Sequence, residues 1–437
     1  MTNPPKTPGA SCSHPLHNHP ASTRDARDTT LTRAAFLRHA TALGLGAAGA
    51  GLLAACGNSG ADGASAGADA GVSTAISSSD GSAAARRMRV GYLPITDATP
   101  LLMAHASGLY ERQNVDVPQP VLLRSWPALA EAFQSGAVDA VHILMPLALQ
   151  LRFQRGFPAK VVAWNHTNGS ALTVRRDIAT VDQLAGETVA IPGWFSIHNI
   201  ALQILLREAG ITPLKSGTPS RSRRSVKLVV MAPPDMPPAL AQRSIAGYIV
   251  ADPFNAAAEV KGIGRILRFT GDIWRDHACC VVAVREELLK ERPAVARAFV
   301  GAVVQAQALT RSDPAAAART LTSKHYLPQP GPVVRWALTH GADPAYEREG
   351  AIEHADWSQR RIDFQGYPFP SYTAELVEQL RRTVVDGDLS FLDGLSGERA
   401  HRELVDDTLV RAAIDAAGGP AAFDLPASLR RTEQVAP

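Results

Sequence analysis

An α/β fold is predicted on three grounds. Short β-rich apolar runs alternate with segments apolar at helical spacing from Met88 onward. The alternation starts afresh near Thr180, which indicates a second unit of the same kind. A chain of 437 residues, 46% hydrophobic and 19% charged, can bury a core in more than one domain.

The first unit opens with a strand in "MRVGYLPI" (Met88–Ile95), a helix in "ATPLLMAHASGLY" and a second strand in "VPQPVLLR". It continues as helix "WPALAEAFQSGAVDA", strand "VHILMP", helix "LALQLRFQRG" and strand "AKVVAWN". The second unit places a strand in "ETVAIP" and a helix in "SIHNIALQILLREAG", with Ser196 as N-cap and Gly210 at its end. Strands "VKLVVM" and "AGYIVA" follow, then "DPFNAAAEVKGIG" opening another helix, and the chain returns through "IWRDHACCVVAV".

Ligands of such sheets bind beyond the carboxyl ends of the strands, where loops meet helix N-termini. The loops "PITDATP", "RSWPA" and "HILMP" are therefore the candidate positions in the first unit. In the second, His198 falls in the first turn of a helix, where outward N–H groups and an imidazole donor can hold an oxyanion.

The N-terminal region is of another character. "TRAAFLR" (Thr32–Arg38) supplies positive charge, and "HATALGLGAAGAGLLAA" is mildly apolar but too short and glycine-rich to span a bilayer. Cys56 closes this segment in "LAAC", which resembles the lipobox of bacterial lipoproteins. Residues 1–56 are thus expected to be an export signal ending in a cysteine that carries lipid, with Sec and twin-arginine routes both open. Residues 57–87, almost free of large apolar side chains, read as a Gly/Ala/Ser tether. The dense histidines of "HPLHNHP" (His14–Pro20) precede the signal and would leave with it.

With 44 Lys and Arg against 41 Asp and Glu, the net charge is only +3, and the clusters "RR" and "RSRR" are not interleaved with aromatics. Nucleic acid is not an expected partner. The four cysteines have no zinc-type spacing; adjacent Cys279 and Cys280 are expected on a buried strand, facing opposite sides. Trp164, Trp194 and Trp274 read as core or cleft wall, and "GYPFPSY" (Gly366–Tyr372) as a surface turn.

Five blocks occur in one order: "VGYLPITDATPLLMAHASGLYERQNVDV", "SWPALAEAFQSGAVDAVHILMP", "AGETVAIPGWFSIHNI", "GYIVADPFNAA" and "IWRDHACCVVAVREELL". The series resembles the solute-binding proteins of ABC importers in the nitrate/bicarbonate and sulfonate/taurine group, the NMT1-like proteins, over roughly Met88 to Leu395. The resemblance implies a periplasmic-binding-protein-like type II fold: two α/β lobes joined by two crossing strands, with the ligand between them. Lobe one would comprise residues 88–172 and 281–437, and lobe two residues 173–280. It further implies a substrate site of Thr96, Asp97, Trp126, His142, His198, Asp252 and Arg275, in which Asp97 and Asp252 bond to protein donors. Arg275 departs from the lysine of nitrate-binding relatives.

The function implied is capture of a small anionic solute of the nitrate, bicarbonate or sulfonate type. Delivery would be to an ABC permease with its ATPase subunits, by a lipid-anchored monomer in the periplasm or outside the cell. No cofactor, metal or catalytic residue is expected, and no P-loop or H-E-x-x-H motif occurs. The competing readings are an enzyme like the fungal pyrimidine-synthesis proteins, toward which "DHACC" points, and a ligand-sensing domain.

Overall fold

The Val-rich run after Met88 forms β1 (Val90–Tyr92), which lies between β2 (Val121–Leu122) and β3 (Ala140–Leu144) and parallel to both. In this computed structural model, residues 85–436 are described, apart from 342 and 358–359. The expected export signal, Cys56 and all but the end of the tether lie outside the described residues.

β3 pairs antiparallel with β12 (Cys280–Arg285), which in turn pairs with β4 (Ala159–Trp164), completing a five-stranded sheet in the order β2-β1-β3-β12-β4. β1 and β3 are buried throughout, as expected for strands covered on both faces, and their side chains are almost all apolar, with His142 as the exception. Helices cover the sheet, among them Thr99–Ala106, Trp126–Gln134 and Met145–Phe153. The 20-residue helix Pro293–Ser312 packs on Thr99–Ala106 and on Thr408–Ala416.

The second sheet has six strands in the order β11-β6-β10-β7-β9-β8. These are β6 (Ser170–Val174), β7 (Thr188–Ile191), β8 (Thr212–Leu214), β9 (Ser225–Val230), β10 (Gly247–Ala251) and β11 (Arg265–Phe269). β7, β8, β9 and β10 run parallel, and β6 is antiparallel to β10 and β11.

The chain passes from the first sheet to the second through residues 165–169, earlier than the boundary expected at 172, and returns through 274–279. On the outgoing passage, β5 (Thr167–Asn168) pairs with β13 (Ile362–Asp363), so a late segment of the chain braces the crossing. Asn168 and Gly169 both have positive φ, 58° and 83°. A Cβ at Gly169 would lie 2.9 Å from Ile362 Cδ1, which explains glycine there.

That late segment also reaches lobe two. Arg361 is buried and grips Asp252 with two nitrogens, at 2.5 and 3.1 Å, while a third bonds Glu259 at 2.7 Å. Val384 and Gln203 exchange two hydrogen bonds, both 2.8 Å. The "GYPFPSY" stretch is a correction: Tyr367, Phe369 and Tyr372 are buried, with Phe369 and Tyr372 packed edge-on against Trp164. Its alternating prolines and aromatics conceal a core segment, because proline suggests a turn whatever its neighbours bury. Among the described residues, no helix is long and apolar enough to cross a membrane.

Candidate ligand-binding site

The helix Ile197–Glu208 begins as its sequence dictates: Ser196 Oγ accepts from the Asn199 N–H at 3.0 Å, and Gly210 ends it at φ 62°. His198, fully buried in the first turn, is thereby aimed at the crossings. Its Nε2 lies 3.0 Å from Ser170 Oγ and 3.7 Å from Cys279 Sγ, and its Nδ1 has no partner among the described residues.

From lobe one, Thr96 and Asp97 form a short 3-10 turn ahead of helix Thr99–Ala106. The Thr96 N–H and hydroxyl both donate to the Asp252 carbonyl, at 2.8 and 2.9 Å, and so join the lobes. Asp97 Oδ2 meets His166 Nε2 at 2.9 Å; its carbonyl accepts from the Asn165 side chain, and its Oδ1 is unpaired. Ser125 caps the next helix through the Ala128 N–H at 3.4 Å, which sets Trp126 at the first helical position. The Trp126 ring lies 6.4 Å from that of His142, and His142 lies 6.2 Å from His166. Trp126 Nε1, both nitrogens of His142 and His166 Nδ1 are buried without partners among the described residues.

Burial governs the charges here. It pushes Asp97 up to about 7 and His142 down to about 3. His166 resists the same desolvation because the Asp97 carboxylate holds its proton, raising it to about 10. Despite desolvation, hydrogen bonding from Cys280 and the nearby imidazoles hold the Cys279 thiol well below its ordinary range; burial and that neighbour push Cys280 well above it.

Of the residues expected at the site, Asp97, Trp126, His142 and His198 converge, linked through His166 and Cys279. Thr96 and Asp252 stand at the lobe contact, and the Asp252 carboxylate is taken up by Arg361. Arg275 is placed elsewhere: it bonds Gln434 through its backbone N–H at 2.9 Å and its guanidinium at 2.7 Å, with its side chain 40% exposed. The "RD" after Trp274 is a turn with Asp276 at φ 49°, and that turn carries Arg275 toward the C-terminal segment.

Beside these side chains stand residues that sequence reasoning missed: His166, Cys279 and Cys280. The two cysteines do not face opposite sides. Cys279 precedes β12 in a bend, so strand alternation does not govern it, and the sulfurs lie 3.7 Å apart. The available signal was positional, since "WNHTN" and "DHACC" are the described stretches where the chain crosses between the two large sheets.

The sequence profile of the NMT1-like family matches residues 81–323. The nitrate/nitrite binding protein NrtA of Nostoc sp. is 24% identical over 244 residues, 51% of this chain and 53% of that protein. The bicarbonate transport ATP-binding protein CmpC of Synechococcus elongatus is 25% identical over 330 residues, 68% of this chain and 48% of its own length. The chain thus spans about half the length of the curated relatives it matches. Among solved structures, the periplasmic nitrate-binding protein NrtA from Synechocystis superposes with a TM-score of 0.65 at 19% identity, over 79% of this chain and 92% of that one. The ligand binding component of an ABC-type import system from Staphylococcus aureus, solved with zinc bound, gives 0.59 at 25% identity, over 75% and 99%. The fold is that of the periplasmic binding proteins.

Proposed function

The chain belongs to the NMT1-like family, and we propose that it is the exported solute-binding component of an ABC importer rather than an enzyme. The observation that carries this reading is the set of buried polar atoms without partners among the described residues, Trp126 Nε1, His142 and His198 Nδ1, contributed from both lobes. A dehydrated small solute needs such donors, because a polar group buried without a hydrogen bond costs about 1–3 kcal/mol. The relatives' names point to nitrate or bicarbonate, so the solute is a small anion of that class. The lobes close on it and present it to the permease and its ATPase partner, and Cys56 carries the lipid that keeps the module at the membrane.

Arg275 is not the cation of the site in this reading; the imidazoles and indole take its place. Calorimetric titration of the purified protein against nitrate, bicarbonate, taurine and alkanesulfonates tests the proposal. Micromolar or tighter binding of one solute supports it, and no heat from any of them sinks the anion assignment.

A further inference from the structure

Where the two crossings pass each other, four buried side chains of three chain segments converge: Asp97, His166, Cys279 and Cys280. One potential ligand atom from each lies within 4.8 Å of all the others. The geometry points to a binding site for a single borderline-soft divalent cation of the zinc class, held by Asp97 Oδ2, His166 Nε2 and the two thiolates.

The spacing fits the ion. Zn–S bonds of about 2.3 Å at the tetrahedral angle put two sulfurs about 3.8 Å apart, and a sulfur and a carboxylate oxygen about 3.6 Å apart. The Sγ atoms of Cys279 and Cys280 are 3.7 Å apart, and Cys280 Sγ is 3.8 Å from Asp97 Oδ2. The 2.9 Å contact between Asp97 and His166 is a hydrogen bond, which coordination would replace with two bonds to the ion. Neither cysteine forms a disulfide, and a bond between them would require the sulfurs to close from 3.7 Å to about 2.05 Å.

Donor chemistry narrows the choice. Two thiolates, an imidazole and one carboxylate suit Zn²⁺ and its neighbours; Ca²⁺ and Mg²⁺ require oxygen donors and are excluded. The bound ion displaces to solvent the protons of the ligating thiols and the proton that His166 Nε2 shares with Asp97. The site lies at the junction of the lobes, with His198 of lobe two 3.7 Å from Cys279, so the ion would bind the two crossings to the first cleft loop. This inference does not depend on which solute the protein carries.

Cobalt(II) reports the site directly. Titrating the full, reduced, metal-free protein with Co²⁺ is expected to give one equivalent of tetrahedral visible bands with a thiolate-to-cobalt charge-transfer band, both displaced by Zn²⁺. Cys279→Ser and Cys280→Ser should each weaken Co²⁺ binding by about a hundredfold or more and diminish the charge-transfer band. Should those variants fail to fold by near-ultraviolet circular dichroism, the wild type decides alone: one equivalent of Zn²⁺ must slow alkylation of both thiols by about tenfold or more. Absence of the bands in reduced wild-type protein, or their persistence unchanged in both variants, overturns the site. The solute titration run on metal-free protein separates the two readings, since solute binding without cobalt binding removes only the metal, and the converse removes only the anion.

Discussion

Trp126, His142 and His198 each hold at least one buried nitrogen that no described residue satisfies, and each sits on a rigid element. Trp126→Ala and His198→Ala are therefore expected to weaken solute binding more than tenfold with the fold intact; unchanged affinity in both removes them from the site. His142 makes a separate prediction. Burial lowers it to about 3 from an unfolded value near 6.5, so its contribution is present above pH 6.5 and lost as pH falls. The groups that face it are His166, which lowers it further, and Cys279, which raises it; Asp97, raised to about 7, opposes the acid slope. His142→Gln should flatten the fall in stability between pH 6.5 and 4 by up to about 1.4 kcal/mol per pH unit, read from urea midpoints. An identical slope in both proteins would contradict the assignment. At this scale the sequence was a partial guide. Helix caps and loop positions place His198 and Trp126 because local rules set them, whereas His166 and Cys280 become neighbours only through the pairing of distant strands.

Strands and helices carried most of what could be read in advance, since hydrophobic period is local. The helix from Ile197 with its Ser196 cap, and the strands around Val226 and Gly247, stand where their patterns place them. The bracing of the outgoing crossing by β13 could not be foreseen, because two residues carry no periodicity. Two substitutions test that brace. Arg361→Ala strands the Asp252 and Glu259 carboxylates in a buried place and is expected to destabilise the protein by about 3–5 kcal/mol in urea unfolding. Gly169→Ala meets both a positive φ and Ile362, and a loss of about 1–3 kcal/mol is expected. Wild-type stability in Arg361→Ala would mean that the pair adds nothing to the fold.

As a whole, the described residues form two large sheets and the small β5–β13 pair, and the lobes touch through Thr96 and Asp252, through Gln203 and Val384, and through the Arg361 clamp. A solute that binds only the folded protein should raise its stability by about 2.7 kcal/mol at a hundredfold excess over Kd, visible as a higher thermal midpoint. No shift with any solute in the calorimetric panel would count against a site between the lobes. The burial of that site has a kinetic corollary. His142 and His198 expose no surface at all and Trp126 only 4%, so a solute in bulk water has no direct collision with the side chains proposed to hold it. In the proposed reading, parting of the lobes comes first, and the observed rate of association should level off at high solute concentration, at a plateau equal to the rate of opening and common to every solute the protein accepts.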